Sequence, residues 1–392
     1  MKDKPRIAII HPRLREGGGS EARALRAAEA LKSTCSVTLV TMGPFDLGRL
    51  NSIYGTRLSP DEISTVSLPF PRWCRGKFDA LRGYRLGRWA KAKARDYDIM
   101  ISAYNVMDFG KRGIQFIADF SYDDGLRRSF HPAAGGLKNF LYRRSPMRSV
   151  YIWFGKRLAS QSEDGWRENW TFANSDWSRA VLERRFGLKC GVIYPPIQDA
   201  VAGPDWREKE TGFVVLARMS REKRVEKAVE ILAEVRRSGV DVHLHILGRE
   251  DNKLYTREIR ELCEKHADWA HYEGFVGGEG KMEFLSRHRY GLSACWNEAF
   301  GIAVAEMVKA GSIVWVPNGG GQVEIVGHED LIYESVNDAA RKILRVLGDE
   351  ERQSALLHHL SGKAELYSSG RFMSETRRVV GEFMESLRSE GR

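Results

Sequence analysis

Cysteine is scarce in this sequence, and long apolar runs are missing. Five of 392 residues are cysteine, and their spacing matches neither a metal-ligand pattern nor a redox pair. Scattered thiols in an odd number exclude a disulfide-framed secreted domain and predict a reducing, cytoplasmic setting. No window approaches the roughly 18 apolar residues of a membrane span, and the apolar run near the start is too short for a signal peptide. We therefore expect a cytoplasmic chain that is soluble or peripheral at the inner face of a membrane.

Acidic residues are in short supply in one half of the chain. Residues 1–200 carry 34 Lys and Arg against 20 Asp and Glu, whereas residues 201–392 carry 28 against 32. The difference is +14 for the first half and −4 for the second, which together give the net charge of +10. Such an uneven distribution predicts that the two halves face different partners.

Short β-branched runs alternate with helical patterns along the whole chain, and no short repeat interrupts them. This alternation is typical of parallel sheets covered by helices. A polar, turn-rich stretch after the Pro195–Pro196 pair divides the strands into two series. The pattern predicts two Rossmann-like, doubly wound α/β domains that face each other across a cleft. We expect an N-terminal domain at 1–197, a C-terminal domain at 198–368, and a final helix at 369–392 that packs back on the N-terminal domain.

The stretch "ACWNEAFGIAVAEMVKAG" (294–311) contains two carboxylates, one before a predicted helix and one inside it. A helix that begins near Phe300 and Gly301 offers free N–H groups and the positive end of its dipole, which suit a phosphate. Glu298 precedes that end, where a carboxylate accepts hydrogen bonds from sugar hydroxyls. Glu306 lies five residues beyond Gly301, about 7–8 Å along the axis, and suits the vicinal hydroxyls of ribose. The competing interpretation is a helix cap followed by a solvated glutamate.

Three further loops favour a phosphate-containing ligand. Gly17, Gly18 and Gly19 follow the first strand and open a helix, although their spacing is not that of a dinucleotide fingerprint. Arg218 and Lys223 follow a strand of the second series and suit a diphosphate leaving group. A third glycine loop, at 319–321, follows a later strand. Each loop taken alone is also compatible with a flexible or solvated turn.

These motifs together resemble the retaining GT-B glycosyltransferases of family 4. The resemblance rests on the glycine loop, "FANSDWS" (172–178), "YPP" (194–196), "LARMSREK" (216–223), "EGF" (273–275), "NEAFGIAVAEMVKAG" (297–311) and "GGGQVEIV" (319–326). It covers nearly the whole chain, in order. Within the family, the glutamate element and "NSDWS…YPP" are most similar to the eukaryotic mannosyltransferases that extend the lipid-linked oligosaccharide. That closer similarity implies GDP-mannose as donor.

The resemblance implies a role for each matching position. Glu298 would bind the donor sugar, Glu306 the ribose, and Arg218 with Lys223 the leaving diphosphate. The distal phosphate would be held by amides and close glycine contacts, and the base would be bracketed by two backbone positions. These donor-binding residues are Gly18, Gly19, Phe275, Val276, Phe300, Gly301 and Ile302. Because the leaving phosphate assists deprotonation of the acceptor in such enzymes, neither a strong protein base nor a metal or other cofactor is expected.

One position departs from the family pattern. Many members carry a histidine at the end of the strand that here reads "IQFIADF" (114–120). This chain has Ala118 and Asp119 there, so we expect Asp119 to contact the donor sugar or the acceptor. Two other polar sets are interpreted as structural. Asp96 and Asp98 form a strand-edge turn rather than a metal site, and His243 and His245 are expected to be satisfied core histidines.

Two basic, aromatic segments bear on the acceptor. Residues 72–95 contain nine Lys and Arg with one Asp, and residues 127–157 contain eight with no acid. Such segments suit an anionic membrane surface with a lipid-linked acceptor, an anionic polysaccharide, or a nucleic acid. The first hypothesis is hexose transfer to a lipid-linked or polymeric acceptor. The second is transfer to modified bases in DNA, and the third is a GT-B binding protein without catalysis. The oligomeric state is left open.

Overall fold

A computed structural model describes residues 4–14, 18–69, 79–123, 125–126, 130, 149–150, 153, 155, 157, 159–198 and 203–390. Contacts between residues divide the chain into two compact units. The first unit comprises Met1–Pro196 and Ser369–Arg392, and the second comprises Ile197–Ser368. In the described part of the chain, none of the helices is both long and apolar enough to span a bilayer.

The first unit contains a parallel sheet covered by helices. Its strands are β1 (Arg6–Ile10), β2 (Ser36–Met42), β3 (Ile63–Leu68), β4 (Ile99–Ser102), β5 (Ile114–Phe116), β6 (Trp170–Ala173) and β7 (Cys190–Val192). Its helices before the second unit, among the described residues, are α1 (Gly19–Leu31), α2 (Leu47–Tyr54), α3 (Asp79–Ala92), α4 (Glu163–Arg167) and α5 (Asp176–Phe186). The described strands are ordered β3-β2-β1-β4-β5-β6-β7. Residues 7–10 of β1 are all buried, as expected for a central strand covered on both faces.

The second unit repeats this plan. Its strands are β8 (Glu210–Leu216), β9 (His243–Leu247), β10 (Ala270–Gly274), β11 (His288–Leu292), β12 (Ile313–Pro317) and β13 (Ile332–Tyr333). Its helices are α6 (Val225–Arg237), α7 (Lys253–Lys265), α8 (Gly278–Ser286), α9 (Ile302–Lys309), α10 (Gln322–Val326), α11 (Val336–Leu347) and α12 (Glu350–Ala364). The order of the described strands is β10-β9-β8-β11-β12-β13, and all pairs are parallel.

The last helix, α13 (Ser369–Glu390), belongs to the first unit. Its apolar face includes Phe372 and Phe383, which are buried in the first-unit core. The Phe383 ring lies 5.2 Å from that of Trp170 on β6. Three amphipathic helices thus follow residue 335 in the described chain. The family resemblance also implies that the N-terminal domain binds the acceptor and the C-terminal domain binds the nucleotide-sugar, and these two roles stay predictions.

Both sheets reverse their strand order at one point. In the first unit the reversal lies between β1 and β4, and in the second it lies between β8 and β11. Loops that leave the carboxyl ends of two such strands diverge to opposite sides of the sheet, and the crevice between them is where ligands bind in this class of fold. The loops after these four strands carry most of the predicted site residues.

Candidate active site

The loop after β8 carries the two predicted cations. It ends in a short 3-10 turn, Arg221–Lys223, and Arg224 then adopts a left-handed backbone with φ of +50°. That conformation is uncommon for a residue with a side chain. The Lys223 side chain is only 16% exposed and forms an ion pair with Glu298. The competing interpretation of a solvated basic turn is therefore wrong for Lys223.

Lys223 and Glu298 keep each other charged. Burial opposes ionisation of Glu298, but Lys223 and then Arg218 overcome it and lower the pKa of Glu298. Burial likewise opposes the charge on Lys223, yet the Glu298 carboxylate raises the pKa of Lys223. Burial also raises the pKa of the neighbouring Cys295 thiol to about 12. The loops after β8 and β11 thus bring an ammonium group and a carboxylate into contact where the strand order reverses.

The glycine loop after β12 supports the backbone of Glu298. Gly321 donates its N–H to the Glu298 carbonyl oxygen at 2.8 Å. Gly320 has φ of +81°, and a Cβ there would lie 2.3 Å from the same oxygen. A Cβ on Gly319 would lie 2.3 Å from the carbonyl oxygen of Trp296. Because two stretches of backbone touch here, no larger residue fits at Gly319 or Gly320.

Gln322 holds the same loop by its side chain, and the sequence reasoning did not single it out. It is fully buried. Its amide nitrogen donates to the carbonyl oxygen of Cys295 and, at 3.1 Å, to that of Gly319. Its amide oxygen accepts from the Ser293 hydroxyl at 2.8 Å. The available signal was a glutamine placed directly after three glycines, since a polar residue on the buried face of a helix needs partners.

Gly301 closes the loop and precedes α9. Its φ is +108°, and a Cβ there would lie 2.9 Å from the Cβ of Gln322. Phe300 has a buried side chain whose ring lies 5.4 Å from that of Tyr367. Any ligand contact of Phe300 or Gly301 would therefore come from the backbone, whereas Ile302, the first residue of α9, is half-buried. No side chain of the described residues caps α9 at Gly301, which leaves the positive end of the dipole without a capping oxygen.

Glu306 lies inside α9 and is buried, with 11% of its side chain exposed. Its carboxylate accepts a hydrogen bond from Lys281 at 2.5 Å. Lys281 is in the first turn of α8, after β10. The solvated-glutamate interpretation is therefore wrong. Sequence reasoning missed Lys281, although it follows the "EGF" motif by six residues in a glycine-rich turn.

Arg218 differs from Lys223 in its surroundings. Its side chain is 48% exposed and forms ion pairs with Asp251 at 3.0 Å and with Glu222 at 3.6 Å. The sequence placed it correctly at the carboxyl edge of the sheet. Its described ion pairs are with exposed or half-buried acids, and such pairs contribute little to stability.

Phe275 and Val276 follow β10. The Phe275 side chain is 52% exposed, which is unusual for a phenylalanine. Val276 is half-buried. An exposed aromatic ring beside a sheet edge offers a flat surface for a base or another ring.

The glycine loop of the first unit is described from Gly18 onward, and Gly17 lies outside the described residues. Gly18 donates its N–H to the Tyr54 hydroxyl at 3.0 Å, and α1 begins at Gly19. A Cβ on Gly18 would lie 2.0 Å from a carboxylate oxygen of Glu21. Because that carboxylate is the flexible end of a side chain, the Glu21 side chain would have to move aside for a larger residue at position 18. The expected phosphate contact of Gly18 and Gly19 stays a prediction.

Asp119 lies three residues beyond the end of β5, not at the strand end as expected. Its carboxylate accepts hydrogen bonds from the Tyr104 hydroxyl at 3.0 Å, the Asn105 amide at 3.1 Å and the Ser121 N–H at 2.9 Å. Asp119, and then burial, raise the pKa of Tyr104 well above its usual value. Asp119 is thus part of a hydrogen-bonded group, and its contact with substrate stays a prediction.

A histidine lies close to this group, at the end of β1 rather than β5. His11 is buried, and burial together with the Arg23 charge lowers the pKa of His11 to about 3. Its ring meets the Tyr104 ring edge-on at 5.5 Å. Its Nε2 has no hydrogen-bond partner among the described residues. The same is true of the side-chain oxygens of Asn105 and Asn174.

The basic, aromatic segments fall largely outside the described residues. Of residues 72–95 the structure describes only α3 and the residues after it, and most of 127–157 lies outside the described residues. In α3, Leu86 and Ala90 are buried, so part of this segment is an ordinary core-facing helix. The predicted strand-edge role of Asp98 has a direct basis, because its carboxylate accepts the Arg6 N–H at 2.7 Å.

His243 departs from the prediction, whereas His245 agrees with it. The Nε2 atom of His243 is buried without a hydrogen-bond partner among the described residues, so the expectation of a satisfied core histidine is wrong there. His245 has a partner, since its Nδ1 lies 2.7 Å from a carboxylate oxygen of Glu273. Both lie on β9, toward the amino-terminal edge of the sheet and away from Lys223 and Glu298.

Comparison with solved structures defines the fold class. WaaG, a glycosyltransferase involved in lipopolysaccharide biosynthesis, matches 96% of this chain and 100% of its own with a TM-score of 0.70 at 16% identity. Anabaena HepE in complex with UDP and glucose matches the same shares with a TM-score of 0.67 at 13% identity. The predicted fold class is confirmed: two parallel-sheet α/β domains of the GT-B type.

Comparison of sequences is more specific for the second unit. Residues 197–358 match the family model of glycosyl transferases group 1 and form a domain of that family. The GDP-Man:Man(3)GlcNAc(2)-PP-Dol alpha-1,2-mannosyltransferase of Homo sapiens is 31% identical over 197 residues, which are 44% of this chain and 40% of that protein. The protein of the same name from Dictyostelium discoideum is 22% identical over 243 residues, which are 55% of this chain and 48% of that protein. The chain thus spans less than half the length of the curated relatives it matches.

Proposed function

We propose that this chain is a retaining glycosyltransferase that moves a hexose from a nucleotide-diphospho-sugar to an anionic, lipid-linked or polymeric acceptor. The favoured donor is GDP-mannose, in keeping with the names of the relatives. The observation that carries the proposal is the partly buried pair of Lys223 and Glu298 where the strand order of the second sheet reverses. The cost of desolvating the two charges offsets their attraction in a partly buried ion pair. Stability alone therefore does not account for this pair, whereas a ligand-binding role does.

The two lysine–glutamate pairs would bind different parts of the donor. Glu298 stays ionised because of Lys223, so it accepts hydrogen bonds from sugar hydroxyls. Lys223 would exchange this carboxylate for the diphosphate oxygens as the donor enters. Glu306, paired with Lys281, would accept from the ribose hydroxyls. The amides at the start of α9 would hold the distal phosphate, and the exposed Phe275 ring would lie against the base.

The chemistry asked of these groups is positioning and charge stabilisation. When the bond from the anomeric carbon to the phosphate oxygen breaks, the electron pair stays on the diphosphate. Lys223, Arg218 and the α9 amides would stabilise that developing charge. The departing phosphate oxygen would take the proton of the attacking acceptor hydroxyl on the same face of the sugar, which retains the anomeric configuration. No step in this account uses a metal ion.

The polar group of the first unit would meet the acceptor or the transferred sugar. Asp119 is held by three donors, and the buried polar atoms of His11, Asn105 and Asn174 lack partners among the described residues. Buried polar atoms in native proteins are normally paired, so this edge suits a hydroxyl-rich ligand or ordered water. Trp153, described at 62% exposure within residues 127–157, is compatible with an acceptor bound at a membrane surface.

A donor screen tests the proposal. The purified chain is mixed with GDP-mannose and with UDP-, ADP- and TDP-hexoses, and both thermal stabilisation and release of free nucleotide are measured. We expect one nucleotide class to raise the melting temperature and to be hydrolysed, with GDP-mannose first. Absence of both effects for every donor would contradict the proposal. NMR of the sugar product, recorded before its anomers equilibrate, should show the anomeric configuration of the donor. Added Mg²⁺ or Mn²⁺ should leave the rate of nucleotide release unchanged.

The acceptor class is tested by binding. Sedimentation with anionic liposomes and a gel shift with DNA distinguish a membrane-bound acceptor from a nucleic acid. We expect association with liposomes that weakens as salt increases. A gel shift without liposome binding would instead favour the DNA alternative.

A further inference from the structure

We infer that the second unit contains a structural site for a divalent transition metal of the zinc class, formed by Glu210, His243, His245 and His288. Each of the four residues offers one ligand atom, and these atoms all lie within 4.8 Å of one another. Three imidazoles with one carboxylate are ligands that Zn²⁺ and related ions prefer. The site lies at the amino-terminal edge of the sheet and does not depend on the proposed transferase activity.

Strand order assembles the four ligands from three neighbouring strands. Glu210 begins β8, His243 begins β9 and His288 begins β11, and β8 lies between the other two. His245 is two residues beyond His243 and so points to the same face of β9. Gly212 lies opposite His243 in the register, and a Cβ there would be 2.1 Å from the Nε2 of His243. The glycine therefore leaves room for this imidazole.

Hydrogen bonds to the Nδ1 atoms of His288 and His245 fix the tautomer of these two histidines. The Nδ1 of His288 lies 2.8 Å from the carbonyl oxygen of Phe284, and the Nδ1 of His245 lies 2.7 Å from the Glu273 carboxylate. Both oxygens only accept, so Nδ1 carries the proton and the neutral ring keeps its lone pair on Nε2. A backbone carbonyl or carboxylate on the outer nitrogen is the usual arrangement of metal-bound histidine.

Without a cation, the Nε2 lone pair of His288 would face and repel the Glu210 carboxylate. A Glu210 carboxylate oxygen lies 3.5 Å from Nε2 of His243 and 3.6 Å from Nε2 of His288. Both nitrogens are buried and have no hydrogen bond among the described residues. Ligand atoms of a tetrahedral zinc site are about 3.3 Å apart, close to these separations.

The ring of Phe284 on α8 closes one side of the cluster. It stacks on His288 with ring centroids 4.8 Å apart and meets His245 at 5.3 Å. Glu210 is about half exposed and His243 is one-third exposed, so an ion can enter from solvent. A metal here would tie together β8, β9 and β11, with β10 and α8 supplying the outer hydrogen bonds, and would stabilise the unit without touching the donor site.

Zinc titration of the full chain tests the inference. Protein without a histidine tag is freed of metal with a chelator, dialysed, and titrated with Zn²⁺ by calorimetry, and its melting temperature is followed in parallel. We expect one equivalent to bind per chain and to raise the melting temperature. Co²⁺ in place of Zn²⁺ should give the visible absorption of a tetrahedral ion. Failure to bind one equivalent would overturn the inference.

Four variants locate the binding. Glu210→Gln and His243→Gln, both at partly exposed positions, should each weaken Zn²⁺ binding at least about 100-fold. Glu273→Gln, which changes only the hydrogen bond to His245, should weaken it about 10-fold. His358→Gln removes an exposed histidine elsewhere and should bind like the parent. Equal affinity of Glu210→Gln, His243→Gln and the parent would place any bound zinc elsewhere and overturn the inference, as would an equal loss in His358→Gln.

Discussion

The carboxyl edges of the two sheets have the same strand order around the reversal point but differ in their side chains. At the second sheet, Lys223 and Glu298 are charged, paired and partly buried. At the first sheet, His11 is neutral and buried, and polar atoms there lack partners among the described residues. One edge is thus a set of opposite charges already in contact, and the other is a set of uncharged hydrogen-bonding groups around Asp119.

This difference corresponds to two kinds of ligand. A diphosphate brings charge, and a site that already holds an ammonium group and helix amides needs little rearrangement to receive it. A hydroxyl-rich acceptor or sugar brings neutral donors and acceptors, and it suits unpaired polar atoms. Comparing the two edges therefore favours donor binding in the second unit and acceptor binding in the first.

The largest expected effect comes from Lys223→Ala. Removal of the leaving-group cation should lower kcat about 10²–10³-fold. It should also cost roughly 2–3 kcal/mol of stability, because Glu298 is left partly buried without its partner. Initial rates with the donor identified above and urea unfolding of the same sample measure the two effects.

A control variant and a double variant show whether the effect of Lys223→Ala is specific to its pair with Glu298. Lys227→Ala removes an exposed lysine paired with Glu230 and should change neither property. The double variant of Lys223→Ala with Glu298→Ala should recover part of the lost stability but none of the activity. Full activity of Lys223→Ala would rule out its role at the diphosphate.

The next effect concerns the glycine loop. Gly320→Ala places a Cβ 2.3 Å from the Glu298 carbonyl oxygen at φ of +81°, so the loop that holds Glu298 must shift. We expect about 2 kcal/mol of destabilisation and weaker donor binding. Gly381→Ala on α13 is the matched control, since a Cβ there meets nothing within 4 Å and alanine favours the helix by about 0.5–1 kcal/mol. Melting curves and donor titrations that show the two variants alike would refute this account of the loop.

A smaller effect is expected at Glu306. Glu306→Ala removes the predicted ribose ligand and leaves Lys281 without its carboxylate. Calorimetry with the free nucleoside diphosphate should show roughly 10-fold weaker binding, about 1.4 kcal/mol. Glu230→Ala, at an exposed position, serves as control. Unchanged affinity in Glu306→Ala would remove the ribose assignment while leaving the Lys223 prediction intact.

The smallest effect at neutral pH belongs to the first sheet. His11 has its pKa lowered from 6.5 to about 3, so between these values the unfolded chain binds a proton that the folded chain does not. The contribution of His11 to the free energy of unfolding is complete above pH 6.5 and is lost as the pH falls. That free energy then decreases by up to about 1.4 kcal/mol per pH unit. His11→Asn should therefore flatten the stability profile between pH 6.5 and 5 and change little at pH 7.

Measurements above pH 5 separate the contribution of His11 to the stability from that of Glu298. The lowered pKa of Glu298 gives a stabilisation that is present above its ordinary value of 4.5 and is lost only below it. Urea unfolding at pH 7, 6 and 5, with His358→Gln as control, measures the His11 contribution. A parent profile that is as flat as that of His11→Asn would contradict the buried, neutral state of His11.

Much of the fold follows from local pattern. Apolar, β-branched runs at 36–41, 212–218 and 312–317 predict strands and match β2, β8 and β12 within two residues, because fully buried parallel strands are short apolar runs bounded by turn residues. The start of α9 at Gly301 was also predictable, since a glycine before an apolar helical repeat is a local signal. The predicted strand at 114–119 was too long, because Asp119 is engaged by Tyr104, Asn105 and Ser121 after the chain leaves the sheet.

By itself, the sequence determined that there are two α/β series, that Lys223, Glu298 and Glu306 follow strands of the second series, and that glycines lie in the turns around them. Tertiary structure alone decided which lysine meets which glutamate, that Gln322 supports the loop, and that three histidines converge with Glu210. The physical reason is that the deciding contacts join residues far apart in the sequence, such as Lys223 and Glu298, 75 positions apart, and Lys281 and Glu306, 25 positions apart. Strand order, which no local pattern encodes, sets which loops become neighbours.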